Sequence, residues 1–155
     1  FVIGALEKAK ELGASTGFLV CNDTQELDFI DVTIPVIVGP EVITGSTRMK
    51  SGTATKLVLN MISTSAMIKI NKTYGNLMVD LKASNQKLWD RGFRIISHLT
   101  GLSRKEARNL LESADGEVKT AVVISKLKCD LNYAREKLRD NNDSLRAVLE
   151  NCSSD

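Results

Sequence analysis

Cysteine and histidine are scarce in this 155-residue chain. Its three cysteines (Cys21, Cys129 and Cys152) lie far apart, form no CxxC pair and are odd in number. That argues against a disulfide framework or a structural zinc site. A single histidine, His98, removes His-rich metal centres and most Ser-His-Asp schemes. No metal is expected. No apolar run reaches the roughly 18 residues that a bilayer requires, and no basic-then-apolar leader opens the sequence. The expectation is a cytoplasmic protein with no membrane partner. Lys plus Arg number 21 against 19 for Asp plus Glu, a formal charge of +2. The basic excess typical of a nucleic-acid binder is missing, so no nucleic acid is expected either. What is present is an ordinary globular balance, 43% hydrophobic and 26% charged. The length suits one domain or two very small ones.

The opening FVIGALEKAKELG reads as a helix already under way, with Val2, Ile3, Leu6 and Ala9 on one side and Gly13 placed to end it. The continuous apolar run Phe18–Cys21 fits a strand buried on both faces, as in a parallel sheet. A second such strand is expected in DVTIPVIVG, rich in β-branched residues. Pro35 cannot donate to a ladder, so this strand is expected to lie at an edge or to start after the proline. Helix, strand, loop, strand and long helix together make an α/β rhythm. Two strands do not stabilise a parallel sheet. With the uncapped start at Phe1, this leads us to expect a fragment whose upstream part is absent.

From Thr47 to about Tyr74 the sequence has no proline and one glycine, Gly52. Its apolar residues (Leu57, Leu59, Met61, Ile62, Met67 and Ile68 among them) cover more than half of a helix circumference. Such a helix should be buried on several sides or meet another subunit. A second helix is expected over Ser84–Leu99, with a stripe of Leu88, Gly92, Ile95, Ile96 and Leu99, closed by Gly101. Ser103-Arg-Lys-Glu106 is a capping box, and Leu102 and Ala107 are placed as a hydrophobic staple. Ala107, Leu110, Leu111 and Ala114 give helical spacing. Asp115-Gly116 ends that helix, Asp130 can cap a third, and Asn141-Asn142-Asp143 precedes a last short one. The unit is about 50 residues long, near the lower limit for independent folding.

Chemistry is concentrated in Gly39–Lys56, GPEVITGSTRMKSGTATK, which joins the end of a strand to the start of the long helix. Ligands of open α/β sheets bind at that edge. Small hydroxyls, helix N-terminal amides and the cations Arg48, Lys50 and Lys56 are what an oxyanion needs. The competing reading is plain capping, in which Gly45-Ser46 is a turn and N-cap. The GxxxxGK[ST] phosphate loop is absent. Glu7 and Glu11, four residues apart, read as a solvated helix face. His98 reads as a surface or capping residue, Cys21 as a buried small apolar residue, and Trp89, Met61 and Met67 as core or subunit contacts.

The stretch GPEVITGSTRMKSGTATKLVLNMIST closely resembles the signature of the family that unites the N-acetylmuramic acid 6-phosphate etherases with glucokinase regulatory protein. The following YGNLMVDLKASNQKLWDRGFRII is similar to the etherase branch. The resemblance implies an α/β fold: the C-terminal part of a sugar isomerase (SIS) domain, a three-layer αβα parallel sheet, then a small all-α, ubiquitin-associated-like domain. The corresponding divisions are 1–76, a connecting helix 77–101, and 102–155. It implies a lyase acting on a phosphorylated amino sugar by acid/base elimination and hydration, without metal, nucleotide or other cofactor, as a homodimer. Catalytic glutamates are expected upstream of Phe1, and none of Glu7, Glu11 and Glu26 matches them. The site residues carried over are Glu41, Thr44, Gly45, Ser46, Thr47, Arg48 and Lys50. Thr44 and Ser46 are expected on the sugar. Arg48 and Lys50 are open to phosphate, to the lactyl carboxylate or to Glu41. The alternatives are a non-catalytic sugar-phosphate-binding regulator and an interaction module built from the terminal helices.

Overall fold

The computed structural model describes residues 1–23 and 26–151; Cys152 lies outside the described residues. The chain divides into two compact units, Phe1–Ser63 and Thr64–Asp155.

In the first unit, helix α1 (Val2–Glu11) is followed by Gly13, which adopts a left-handed φ of 81° and ends the element. Strands β1 (Gly17–Val20) and β2 (Val32–Pro35) pair in parallel, Gly17 opposite Val32 and Val20 opposite Pro35. The expected parallel pairing is present, with two corrections. The strands are at most half-buried. Pro35 ends β2 instead of preceding it, and the ladder goes one step further through the Val36 amide, which donates to the Val20 carbonyl at 2.8 Å. Asp31 ties the start of β2 to that of β1. Its carboxylate accepts from the Thr16 amide at 2.7 Å and the Thr16 hydroxyl at 3.1 Å, and pairs with Lys10 at 2.5 Å. Those donors, Lys10 foremost and then the Thr16 amide, hold the Asp31 carboxyl down at about 2.

Helix α2 (Lys50–Lys69) is shorter at both ends than the sequence suggested. It also has no buried residue: Leu57, Leu59, Met61 and Ile68 are each more than half exposed. The expectation of burial on several sides is therefore corrected. The apolar residues run almost all round the helix, and of them only Ala54 and Val58 are even half-buried.

In the second unit, Gly75 does more than end a helix. It sits at φ 56° between two short strands, β3 (Thr73–Tyr74) and β4 (Leu77–Met78), which form an antiparallel hairpin. Helix α3 (Gln86–Thr100) starts on Asn85, whose side chain accepts from the Leu88 amide, and ends on left-handed Gly101. The capping box is realised on α4 (Arg104–Ser113): Ser103 Oγ accepts from the Glu106 amide, and Glu106 accepts from the Ser103 amide at 2.8 Å. Asp115 and Gly116 both have positive φ and reverse the chain into α5 (Val118–Leu127). Asp130 caps α6 (Leu131–Asp140), and α7 (Leu145–Asn151) closes the unit.

All buried apolar side chains among the described residues lie from Val79 onward. Ile96, Leu111, Val118, Val122, Leu145 and Val148 are fully buried in one cluster. The stretches 77–101 and 102–151 thus share a single core. The link is explicit at the backbone: Lys82 bridges Glu117 in antiparallel fashion, and the Ala83 amide donates to the Gly116 carbonyl at 2.9 Å. Gly116 is required twice, for its φ of 78° and because a Cβ there would lie 3.3 Å from the Ala83 carbonyl oxygen. Trp89 packs against the core with its ring 5.9 Å from that of Phe93.

Candidate functional site

The segment from Gly39 to Lys50 is irregular backbone held by its own ends. Gly39 and Gly45 adopt φ values of 69° and 86°, which L side chains rarely take. The Ser46 amide donates to the Ile43 carbonyl at 3.0 Å, closing a turn. Glu41 then does what a capping residue does, from nine residues upstream. Its two carboxylate oxygens accept from the Lys50 and Ser51 amides, each at 3.0 Å, so the first two lone amides of α2 are satisfied by one charged group. The Ser51 amide first, and then that of Lys50, lower the Glu41 carboxyl below the usual range. Lys50 folds back and donates from Nζ to the Pro40 carbonyl at 2.7 Å. The next amides are also taken, Gly52 by the Thr47 carbonyl at 2.8 Å and Thr53 by that of Met49 at 3.2 Å.

This arrangement changes part of the sequence reading. Of the two readings of the helix N-terminus, amides offered to an oxyanion and amides capped within the chain, the second describes residues 50–53, with Glu41 as the cap in place of Ser46. Glu41 and Lys50 therefore shape the corner. Thr44, Thr47 and Arg48 stand exposed and Ser46 half-buried, and none makes a side-chain hydrogen bond among the described residues. The side chains of this corner left without such a bond are thus the hydroxyls of Thr44, Ser46 and Thr47 and the Arg48 guanidinium, carried on a turn that Gly45 makes possible.

Other expected assignments are resolved by exposure. Glu7 and Glu11 are exposed on α1, with Glu11 paired to Lys8 at 2.7 Å, as expected of a solvated face. Cys21 lies just beyond β1 and is half-buried, not buried. Its sulfur is 3.8 Å from the Ser51 carbonyl and 3.5 Å from Thr55 Oγ1, so it sits in a polar setting. Met61 and Met67 are exposed on α2, and His98 is exposed in the last turn of α3. Among the described residues, no cluster of His, Cys, Asp and Glu could hold a metal ion, and no helix is long and apolar enough to cross a membrane.

Sequence reasoning missed a charge network in the second unit, in which Lys119 is buried. Lys119 Nζ, with its side chain only 6% exposed, contacts Asp80 Oδ1 at 2.9 Å and donates to the Asp143 carbonyl at 2.8 Å. Lys72 holds the other Asp80 oxygen at 2.5 Å. Burial pushes the Asp80 carboxyl up, but its hydrogen bonds from Lys119 and Lys72 outweigh that and leave it lowered. Arg135 similarly clamps Glu117 at 3.0 Å and Asp115 at 2.8 Å. A charged residue within an apolar run, as in EVKTAVV, was the available signal.

With this geometry in view, comparison with known proteins first gives a class. Residues 75–116, the hairpin through the Asp115-Gly116 reversal, match the family of the C-terminal lid domain of glucokinase regulatory protein. The particular relatives are enzymes. The chain is 51% identical over 150 residues to the N-acetylmuramic acid 6-phosphate etherase of Yersinia pestis (strain Pestoides F), covering 96% of this chain and 51% of that protein. The same figures hold for the etherase of Yersinia pseudotuberculosis serotype O:1b (strain IP 31758). The resemblance drawn from residues 39–64 and 74–96 therefore extends over nearly the whole sequence. The chain spans about half the length of the curated relatives it matches.

Proposed function

We propose that this chain is part of a lyase that cleaves the lactyl ether of N-acetylmuramic acid 6-phosphate. Water is taken up and N-acetylglucosamine 6-phosphate and D-lactate are formed. The observation that carries this reading is the 51% identity to named etherases along 96% of the chain. The lid-domain match is common ground with a sugar-phosphate regulator and does not favour that alternative.

The chemistry is elimination and hydration. A base removes the proton next to the aldehyde of the opened sugar, lactate departs with the ether oxygen, and water adds to the resulting double bond. Carboxylates with tuned pKa values serve both steps. We assign neither the base nor the acid to a residue of this chain. Its contribution is the wall of the sugar site. Thr44, Ser46 and Thr47 offer hydroxyls to the sugar or its phosphate across the Gly45 turn, and Arg48 offers a fork to an anionic oxygen. Glu41 and Lys50 hold that turn in place. Residues 1–76 form the later part of an SIS-type three-layer αβα domain, and the terminal helices form a ubiquitin-associated-like unit. The apolar surface of α2 suits a homodimer, and the whole acts in the cytoplasm.

The test is D-lactate release from the full-length protein supplied with the substrate, compared with its Arg48→Ala variant. The parent should turn over, and the variant should raise KM by roughly tenfold or more, the loss of one charge-assisted contact. Absence of lactate from the parent overturns the function. Unchanged kinetics in the variant return Arg48 to the scaffold.

A further inference from the structure

A cavity of about 500 Å³ lies beside the Asp80 network in the second unit, within the size range of small-molecule sites. Its floor is apolar: Val79, Leu81, Val118 and Leu138 line it, each 9% exposed or less. Its wall is charged, with the acids Asp80, Glu117 and Asp143 against the bases Lys82, Lys119 and Arg135. Opposite charges in equal number favour neither a simple anion nor a simple cation.

From this lining we infer a binding site for a free α-amino acid with an aliphatic side chain. Such a ligand is a zwitterion, and burying it demands a partner for each of its charges. Asp80 and Lys119 are spent on each other, on Lys72 and on the Asp143 carbonyl. Three other groups keep capacity. The Asp143 carboxylate accepts no hydrogen bond and forms no ion pair among the described residues; Lys72 acts on it through space alone. Lys82, its side chain 71% exposed, stands 3.9 Å from Glu117, beyond hydrogen-bonding range. Arg135 donates to Glu117 and Asp115 through Nε and Nη2, which leaves Nη1 without a partner among the described residues.

These groups divide the zwitterion between them. Asp143 takes the ammonium group, and Lys82 with Arg135 Nη1 takes the carboxylate. The aliphatic side chain covers Leu81 and Leu138 on the floor. The buried pair supports the site from beneath, because Lys119 Nζ donates to the Asp143 carbonyl at 2.8 Å and holds that residue at its φ of 57°.

The experiment is an NMR titration of the complete chain with four probes. L-Leucine carries every feature; glycine lacks the side chain, leucinamide the carboxylate and 4-methylpentanoate the ammonium group. The readout is binding, so its outcome is separate from that of the etherase assay. L-Leucine should give saturable shifts at the amides of Leu81, Lys119, Leu138 and Asp143, with affinity roughly tenfold above each other probe. Asp143→Asn keeps the left-handed backbone and the carbonyl that Lys119 uses, and Lys82→Gln alters an exposed side chain, so both variants retain the fold. Each should weaken leucine binding several-fold. Asp143→Asn should leave 4-methylpentanoate unaffected, and Lys82→Gln should leave leucinamide unaffected. Linear shifts scattered over the surface overturn the site. Equal affinity of any other probe overturns the ligand class, and unchanged leucine affinity in either variant overturns the role of that residue.

Discussion

Single residues set the geometry of both units. Asp31 is the clearest case in the first, since its carboxylate fastens α1 and both strands. Its folded pKa, about 2, lies below the ordinary 3.8. The stabilisation is therefore complete above the ordinary value and is lost as pH falls from there through about 2. Carboxyl titration by NMR should place the Asp31 midpoint near the lower value. Asp31→Asn should flatten the acid limb of the first unit's stability. In the second unit Gly92 is small for steric reasons. A Cβ there would lie 2.7 Å from Leu111 Cδ2 and 3.1 Å from Val118 Cγ2, at the contact of α3 with α4 and α5. Overpacking of this kind costs about 1–3 kcal/mol, so Gly92→Ala should lower the thermal midpoint despite alanine's better helix propensity.

At the scale of elements, local signals and tertiary context part company. Ser103 and Glu106 mark the start of α4 because a capping box is written in four consecutive residues and needs no distant partner. Ser103→Ala should cost about 1 kcal/mol in a chemical denaturation series. The stripe on α3 was equally legible: Gly92, Ile95 and Ile96 are buried as its spacing requires, together with Phe93. The start of α2 was not. Its cap is Glu41, which lies nine residues before Lys50 and reaches the helix only because Gly39 and Gly45 bend the chain. No pattern of adjacent residues encodes such a cap. The hairpin Thr73–Met78 escaped for a related reason, since two-residue strands carry too little periodicity to read.

For the molecule as a whole, buried apolar surface is distributed unevenly. Among the described residues the first unit buries Thr16 but no apolar side chain, whereas the second carries a continuous core from Val79 to Val148. Hydrogen exchange should therefore show two tiers. Amides of β1 and β2 should exchange by low-energy local opening, while those of α3, α4 and α5 should exchange only with global unfolding of the second unit. Uniform protection across both would contradict this distribution.

What the residues alone determined was local or carried by spacing: the two short strands, the caps that start α4 and α6, the reversal at Asp115-Gly116 and the hydroxyl-rich turn over Thr44–Arg48. Those features depend on neighbours within a few positions, where backbone sterics and short hydrogen bonds decide. Tertiary structure alone decided how charge is spent. It committed Glu41 to helix amides and buried Lys119 against Asp80. Such pairings join groups nine or more residues apart, and their energies depend on burial and distance, neither of which can be read along the chain.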